Sequence, residues 1–217
     1  MDHRYFFGYG SLVNRATHDY TGAFPARLIG WRRAWRRSPS RALCYLTIVE
    51  ATGQELLGLV APVPKSQQDK LAQREHAYGR RRVTHAVDHA APHIPEVETH
   101  VIPEGKHLDP TKENPILLSY LDVVVQGYLA EFGRDGAQHF FDTTDGWNAS
   151  ILDDRARPFY PRAQPVQFHE ARLVDAALSD FDANIIPLTN SSWEKYLGGP
   201  GAAPPVGRPE QSDGRNL

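Results

Sequence analysis

The chain has 217 residues, 41% of them hydrophobic and 23% charged, enough for one domain that buries roughly 70% of the surface its unfolded chain exposes. Its single cysteine, Cys44, excludes a disulfide framework and cannot build a thiolate metal site alone. A net charge of −2 gives no global attraction to nucleic acid or to an anionic membrane.

Met1-Asp2-His3-Arg4 runs into Tyr5-Phe6-Phe7 without a small-residue cleavage site, so no signal peptide is expected. The longest apolar stretch, 116–125, is broken by Ser119 and Asp122 and falls short of the ~20 residues that span a bilayer. A cytoplasmic chain without a membrane partner is the expectation. Residues 4–8 are aromatic and read as a strand entering a Gly8-Tyr9-Gly10 turn, and Arg27 to Trp35 reads as a second strand. Leu43–Glu50 and Glu55–Pro62 read as a hairpin joined by Ala51-Thr52-Gly53-Gln54. Ser66, with Asp69 three residues on, resembles a weak capping box opening a helix to about Ala77. Further strands are expected over 81–103, interrupted by Pro92, Pro95 and Pro103.

Asn114-Pro115 opens a second predicted helix through about Phe132. Residues 142–162 read as irregular, 166–177 as either strand or helix. From Gly198 on, the Gly/Pro-rich composition predicts a disordered tail. Strands first and helices later indicate an α+β fold rather than alternating βαβ units.

Four groups of residues carry possible chemistry. The glycines around Tyr9 permit a tight turn or a close backbone approach, and the amides from Gly10 to Leu12 could converge on an anion. Val13 occupies the third glycine position of a dinucleotide fingerprint, and Ser11 lacks the glycine that a nucleophile elbow needs. Leu71, Glu75 and Tyr78 share one face of the predicted helix. A carboxylate there, facing a core or cleft, has its pKa raised by desolvation and suits a general base. It could equally be a boundary glutamate paired with Arg74, Arg80 or Arg82. His85, His89 and His93 would approach metal-ligand spacing only on a helix, which Pro92, Val83 and Val87 argue against. Arg32-Arg33, Arg36-Arg37 and Arg80-Arg81-Arg82, interleaved with Trp31, Trp35 and Tyr78, read as surface strand charge rather than a nucleic-acid platform. Cys44 reads as a small buried hydrophobe.

Taken together, Tyr5-Phe6-Phe7-Gly8-Tyr9-Gly10-Ser11-Leu12 resembles the opening strand and loop of the gamma-glutamylcyclotransferase superfamily (AIG2-like proteins included). Ala26-Arg27-Leu28-Ile29-Gly30-Trp31-Arg32-Arg33-Ala34 is similar to its second conserved stretch, and Gly58-Leu59-Val60 follows in order. Arg74-Glu75-x-x-Tyr78 resembles the segment carrying the family's catalytic glutamate. Leu12 is similar to the ChaC-type branch, where the classical branch has Asn. The likeness covers residues 5–83.

The resemblance implies a small mixed β-barrel with flanking helices in a single domain over 1–197, with a helical insertion at 104–165. It also implies cofactor-free release of 5-oxoproline from a small gamma-glutamyl substrate, without a metal. The substrate's own α-amine attacks its γ-carbonyl, and a well-oriented intramolecular attack reaches effective molarities of roughly 10⁵–10⁸ M. Glu75 would be the general acid/base. Amides from Tyr9 through Gly10 and Ser11 to Leu12 would hold the substrate α-carboxylate, and Tyr9 or Tyr78 would face the oxyanion. Glutathione is the first candidate because of the ChaC-like loop. The alternative is a non-catalytic module that holds a carboxylate ligand on the same fold.

Overall fold

A computed structural model describes residues 4–39, 41–90, 96–103, 105–189 and 196. The predicted tail from Gly198 and the candidate His93 lie outside the described residues.

β1 (Arg4–Gly8) lies between β3 (Cys44–Val63), antiparallel, and β6 (Val97–Val101), parallel. Phe6 and Phe7 point to opposite faces yet both are buried, which is why this central strand reads as a continuous aromatic run. β2 (Phe24–Arg37) pairs with β3 over nearly its whole length, with Leu28 opposite Leu56 and Trp35 opposite Leu46. The expected hairpin between Glu50 and Glu55 is not formed. Both of its arms belong to the single strand β3, and the hairpin is β2–β3 itself. Ile29 faces Glu55 while Trp31 faces Glu50, so Ala51–Gln54 bulge out opposite Gly30, whose φ of +84° suits the kink. Local turn chemistry at Gly53 thus marks a bulge, because one long partner strand holds both flanks.

α1 (Lys65–Arg74) starts after Pro64, and its first turn has no side-chain cap; Ser66 lies inside it, so the Ser66/Asp69 box does not form. The helix also ends earlier than expected. Glu75 is its C-cap, and the Tyr78 amide bonds to the Glu75 carbonyl at 2.8 Å in the turn that follows. β4 (Gly79–Arg82) pairs with β6, while β5 (Val87–Asp88) and β8 (Thr144–Asp145) pair with β2. The resulting seven-stranded mixed sheet curls into a half-barrel. β7 (Ile116–Leu117), β9 (Ile151–Asp153) and β10 (Ile185–Pro187) form a small parallel sheet beside it.

α2 (Leu118–Asp142) is longer than the predicted helix and is broken at Gly133. Its own cap, Leu117, offers no side-chain acceptor. The buried Asp154 supplies one instead, accepting from the Ser119 amide at 2.7 Å, the Ser119 hydroxyl at 2.6 Å and the Phe159 amide at 2.8 Å. The stretch 166–177, whose pattern fits strand or helix, is helical from Phe168 on, in α3 (Phe168–Asp180), where Glu170 reaches back to the Gln167 amide at 2.8 Å. These three helices and the sheets make an α+β fold.

The helix within the segment 104–165 packs into the core. Leu121, Val124, Tyr128 and Phe140 of α2 share one core cluster with Phe7, Leu28, Trp35 and Leu59 of the sheet. α2 also touches the N-terminal loop directly. A Cβ on Gly127 would lie 2.5 Å from the Asn14 amide nitrogen, and Asn14 Nδ2 donates to the Val123 carbonyl at 2.9 Å. No helix among the described residues is long and apolar enough to cross a membrane.

Candidate active site

After β1 the chain turns through Tyr9 and Gly10 into two short 3₁₀ turns, Ser11–Val13 and Arg15–Thr17. The loop is fixed from beneath by Arg33, which corrects the expectation of surface charge. Its guanidinium is fully buried because its β2 position faces the core. It has no carboxylate partner among the described residues. It donates to the Tyr9 carbonyl at 3.0 Å, to Thr143 Oγ1 at 2.7 Å, to the Leu57 carbonyl and to the Tyr128 hydroxyl. It also stacks 4.7 Å over the Tyr128 ring. The Tyr128 hydroxyl shares its proton between the carbonyls of Tyr9, 2.9 Å away, and Leu57, 2.8 Å away.

The other basic segments carry acidic partners: Arg32 with Asp145, Arg36 with Asp109, Arg80 with Glu98, Arg81 with Glu50 and Arg82 with Glu96.

From the opposite side, Arg74 at the end of α1 grips the same loop. It donates to Ser11 Oγ at 3.0 Å, to the Thr17 carbonyl at 3.0 Å and to Thr17 Oγ1 at 3.2 Å. Its Nε lies 3.5 Å from Glu75 Oε1, and the Glu75 side chain is only 14% exposed. Burial raises the Glu75 carboxyl above the usual range, and Arg74, Arg162 and His76 oppose that rise only in part.

Glu75 stands between two cavities. The smaller, about 170 Å³, is lined by Ser11, Arg41, Tyr45, Arg74, Tyr78 and Tyr120, among others, with Tyr160 and Arg162 completing its wall. The larger, about 350 Å³, reaches Glu75 from the side of Tyr5, His100 and Arg80. Of the loop residues 9–12, Ser11 alone lines the small cavity. Tyr9 and Leu12 are buried beneath it, and Leu12 Cβ sits 2.9 Å from the Cβ position of Gly8, as packing rather than as a cavity wall.

Tyr9 donates its hydroxyl to the His100 carbonyl at 2.6 Å, and Tyr78 donates to the Leu46 carbonyl at 3.0 Å. Burial pushes both phenols well up. Cys44 also lines the cavity, but burial drives its thiol up to about 12, so it stays protonated and is a poor nucleophile. Among the described residues no group of three or more His, Cys, Asp or Glu side chains is placed to hold a metal.

The sequence reading nominated none of Arg41, Tyr120, Tyr160 and Arg162. Tyr120 comes from α2, and Tyr160 and Arg162 from the loop after β9. That loop is drawn in by Asp154 at the α2 N-terminus and by Arg155, which bonds Asp122 through two 2.8 Å contacts and Asp175 at 2.7 Å. Tyr120 meets Tyr160 edge-on at 5.0 Å and Trp35 at 5.9 Å. Arg41 stacks 4.7 Å over Tyr45 and lies 3.3 Å from His76 Nε2. The one local signal was the apolar stretch 116–125 interrupted by Ser119 and Asp122, and it spoke of a helix, not of a site.

The sequence matches no curated protein significantly. Among solved structures, a gamma-glutamyl cyclotransferase superposes with a TM-score of 0.51 at 15% identity, over 81% of this chain and 99% of its own. The uncharacterized human protein loc79017 gives 0.52 at 15% identity, over 81% of this chain and 99% of its own. YkqA from Bacillus subtilis gives 0.52 at 18% identity, over 67% of this chain and 57% of its own. At these identities the likeness is one of fold. Residues 4–109 match the family described as ChaC-like protein, and that stretch contains the Tyr9–Leu12 loop, Arg33, Arg74 and Glu75. By its match over residues 4–109 the chain is similar to ChaC-like proteins, and by its fold it is similar to a gamma-glutamyl cyclotransferase.

Proposed function

We propose that the protein is a gamma-glutamylcyclotransferase that releases 5-oxoproline from a gamma-glutamyl peptide, with glutathione as the first candidate. The observation that carries this reading is Glu75. It is a mostly buried carboxylate with a raised pKa, set beside Ser11 in a cavity walled by tyrosines and by Arg41, Arg74 and Arg162. The substrate arrives with an α-ammonium that must lose a proton before it can attack. A carboxylate whose pKa is lifted toward neutrality accepts that proton and later returns one to the leaving nitrogen, work worth about 10²–10⁴-fold in rate. The guanidiniums provide for the carboxylates that a gamma-glutamyl peptide carries at both of its ends. A gamma-glutamylamine has no carboxylate on its leaving side and makes less use of them.

The test is 5-oxoproline release by the purified chain from glutathione, gamma-glutamyl amino acids and a gamma-glutamylamine, each alongside Glu75→Gln. Product from the peptides that disappears in the variant supports the reading. No product from any substrate, with the carboxylate-bearing compounds still binding, points to the non-catalytic module instead.

A further inference from the structure

Cyclisation places a negative charge on the γ-carbonyl oxygen, and a hydroxyl proton aimed at that oxygen stabilises the transition state more than the ground state. Four phenols line the cavity, Tyr45, Tyr78, Tyr120 and Tyr160; the proton of Tyr78, like that of Tyr9 beneath the loop, is committed to backbone. Tyr9 donates to the His100 carbonyl and Tyr78 to the Leu46 carbonyl. Beneath the loop, the Tyr128 proton is held by the carbonyls of Tyr9 and Leu57. These are short bonds to fixed backbone, and breaking one to serve the substrate would leave a buried carbonyl bare.

Tyr120 differs. Its hydroxyl lies over the loop itself: a Cβ on Gly10 would be 2.8 Å from Tyr120 Oη. The Ser11 backbone beside that oxygen favours negative charge on it. The phenol makes no donated hydrogen bond among the described residues, and its residue lines the cavity together with Ser11 and Glu75. Edge contacts with Trp35 and Tyr160 hold the ring from two sides. With no acceptor claiming it among the described residues, the O–H is free to turn into the cavity, and a backbone dipole beside the oxygen polarises it for donation. Gly10 is therefore needed for more than a turn, since any side chain there collides with this hydroxyl.

We propose that Tyr120 is a catalytic residue, whose hydroxyl donates to the oxyanion formed when the substrate α-amine attacks the γ-carbonyl. The proposal rests on the cyclotransferase reading above. The α-ammonium first gives a proton to Glu75, which passes it to solvent. The freed α-nitrogen then forms a bond to the γ-carbon, the carbonyl π pair moves onto oxygen, and Glu75 takes the second proton, shed by the attacking nitrogen. The oxyanion, held by Tyr120, re-forms the C=O as the bond to the leaving nitrogen breaks. Glu75 returns its proton to that nitrogen, and Tyr120 keeps its own proton throughout.

The experiment compares kcat and KM for 5-oxoproline release by the wild type, Tyr120→Phe, Tyr160→Phe and Glu75→Gln. Thermal unfolding of each is followed in parallel. Tyr120→Phe should lower kcat by about 100-fold while KM stays within about twofold and the ring packing keeps the unfolding temperature close to wild type. Tyr160→Phe should keep most of kcat. A Tyr120→Phe enzyme with kcat near wild type, or one whose loss lies in KM, overturns the proposal. So does a kcat loss that follows Tyr160 instead.

If Tyr120→Phe proves unstable, Gly10→Ala decides the matter. It leaves the phenol in place but displaces its hydroxyl, and an undiminished kcat there overturns the assignment. An active wild type with an inactive Glu75→Gln separates a failure of this proposal from a failure of the reading beneath it. A wild type that releases no 5-oxoproline at all removes both.

Discussion

The buried guanidinium of Arg33 donates to the carbonyl of Tyr9 at 3.0 Å, tying the middle of β2 to the loop that opens the candidate site. Cation and loop are linked through neutral acceptors only: two carbonyls, two hydroxyls and the face of an aromatic ring. Arg33→Met strips the Leu57 carbonyl and Thr143 of a donor while Tyr128 still serves Tyr9. A loss of about 2–3 kcal/mol is expected in chemical denaturation, with kcat falling alongside as Ser11 loses its support. Tyr128→Phe, which removes one shared proton, should cost about 1 kcal/mol.

Glu75 contributes the opposite of a stabilising carboxylate. Its folded pKa is raised by burial, so the native state holds a proton more tightly than the unfolded chain. Stability is therefore greatest below the unfolded value and declines as pH rises through the folded one. Glu75→Gln should unfold at a higher temperature than the wild type at pH 8, and the gap should close near pH 4. A Glu75→Gln protein less stable than wild type at pH 8 would mean that the ion pair with Arg74 outweighs desolvation.

His100 titrates in the other sense. It is buried, its Nδ1 has no hydrogen-bond partner among the described residues, and burial with the nearby Arg80 lowers its pKa to about 4. Between about pH 6.5 and 4 the unfolded chain binds a proton that the native state refuses, so stability falls on acidification across that window. The contribution is on the order of a few kcal/mol. Since the His100 backbone carbonyl, not the ring, receives the Tyr9 proton, His100→Phe should flatten the acid limb of the unfolding profile with Tyr9 still in place.

Arg162 lines the cavity near Glu75 and has no carboxylate partner among the described residues other than the field of Glu75 itself. Arg162→Ala should raise KM for a gamma-glutamyl peptide roughly 10-fold, about the worth of one charge-assisted hydrogen bond. The effect on a gamma-glutamylamine should be smaller. Equal effects on both substrates would place Arg162 away from the leaving-group carboxylate.

Much of this was legible along the chain. The aromatic run at 5–7, the glycines beside Tyr9 and the spacing from Arg74 to Tyr78 are local patterns, and they carried the family resemblance. Glu75 and Tyr78 were read on one helix face. The helix stops at Arg74, yet the turn that bonds the Tyr78 amide to the Glu75 carbonyl keeps both on the cavity. Where the reading failed, a distant partner decided. The bulge at Ala51–Gln54 reads as a hairpin until β2 is seen to hold both arms. Arg33, between Arg32 and Ala34 in a basic stretch, reads as surface charge until Tyr128 and Thr143 come to meet it.

Local chemistry is enough for the elements whose causes are local: strand and helix periods, the glycine-bounded loop, the carboxylate after α1. Which groups share the cavity with that carboxylate follows from long-range packing. Tyr120, Tyr160 and Arg162 lie 45 or more residues beyond Glu75, and nothing in their neighbours marks them. They arrive there because α2 buries one face in the sheet core and because Asp154 and Arg155 fasten the following loop to that helix. Burial, in turn, is a property of everything packed around a side chain. The raised pKa of Glu75 and the commitment of the Tyr9, Tyr78 and Tyr128 protons therefore exist only once the chain has closed on itself.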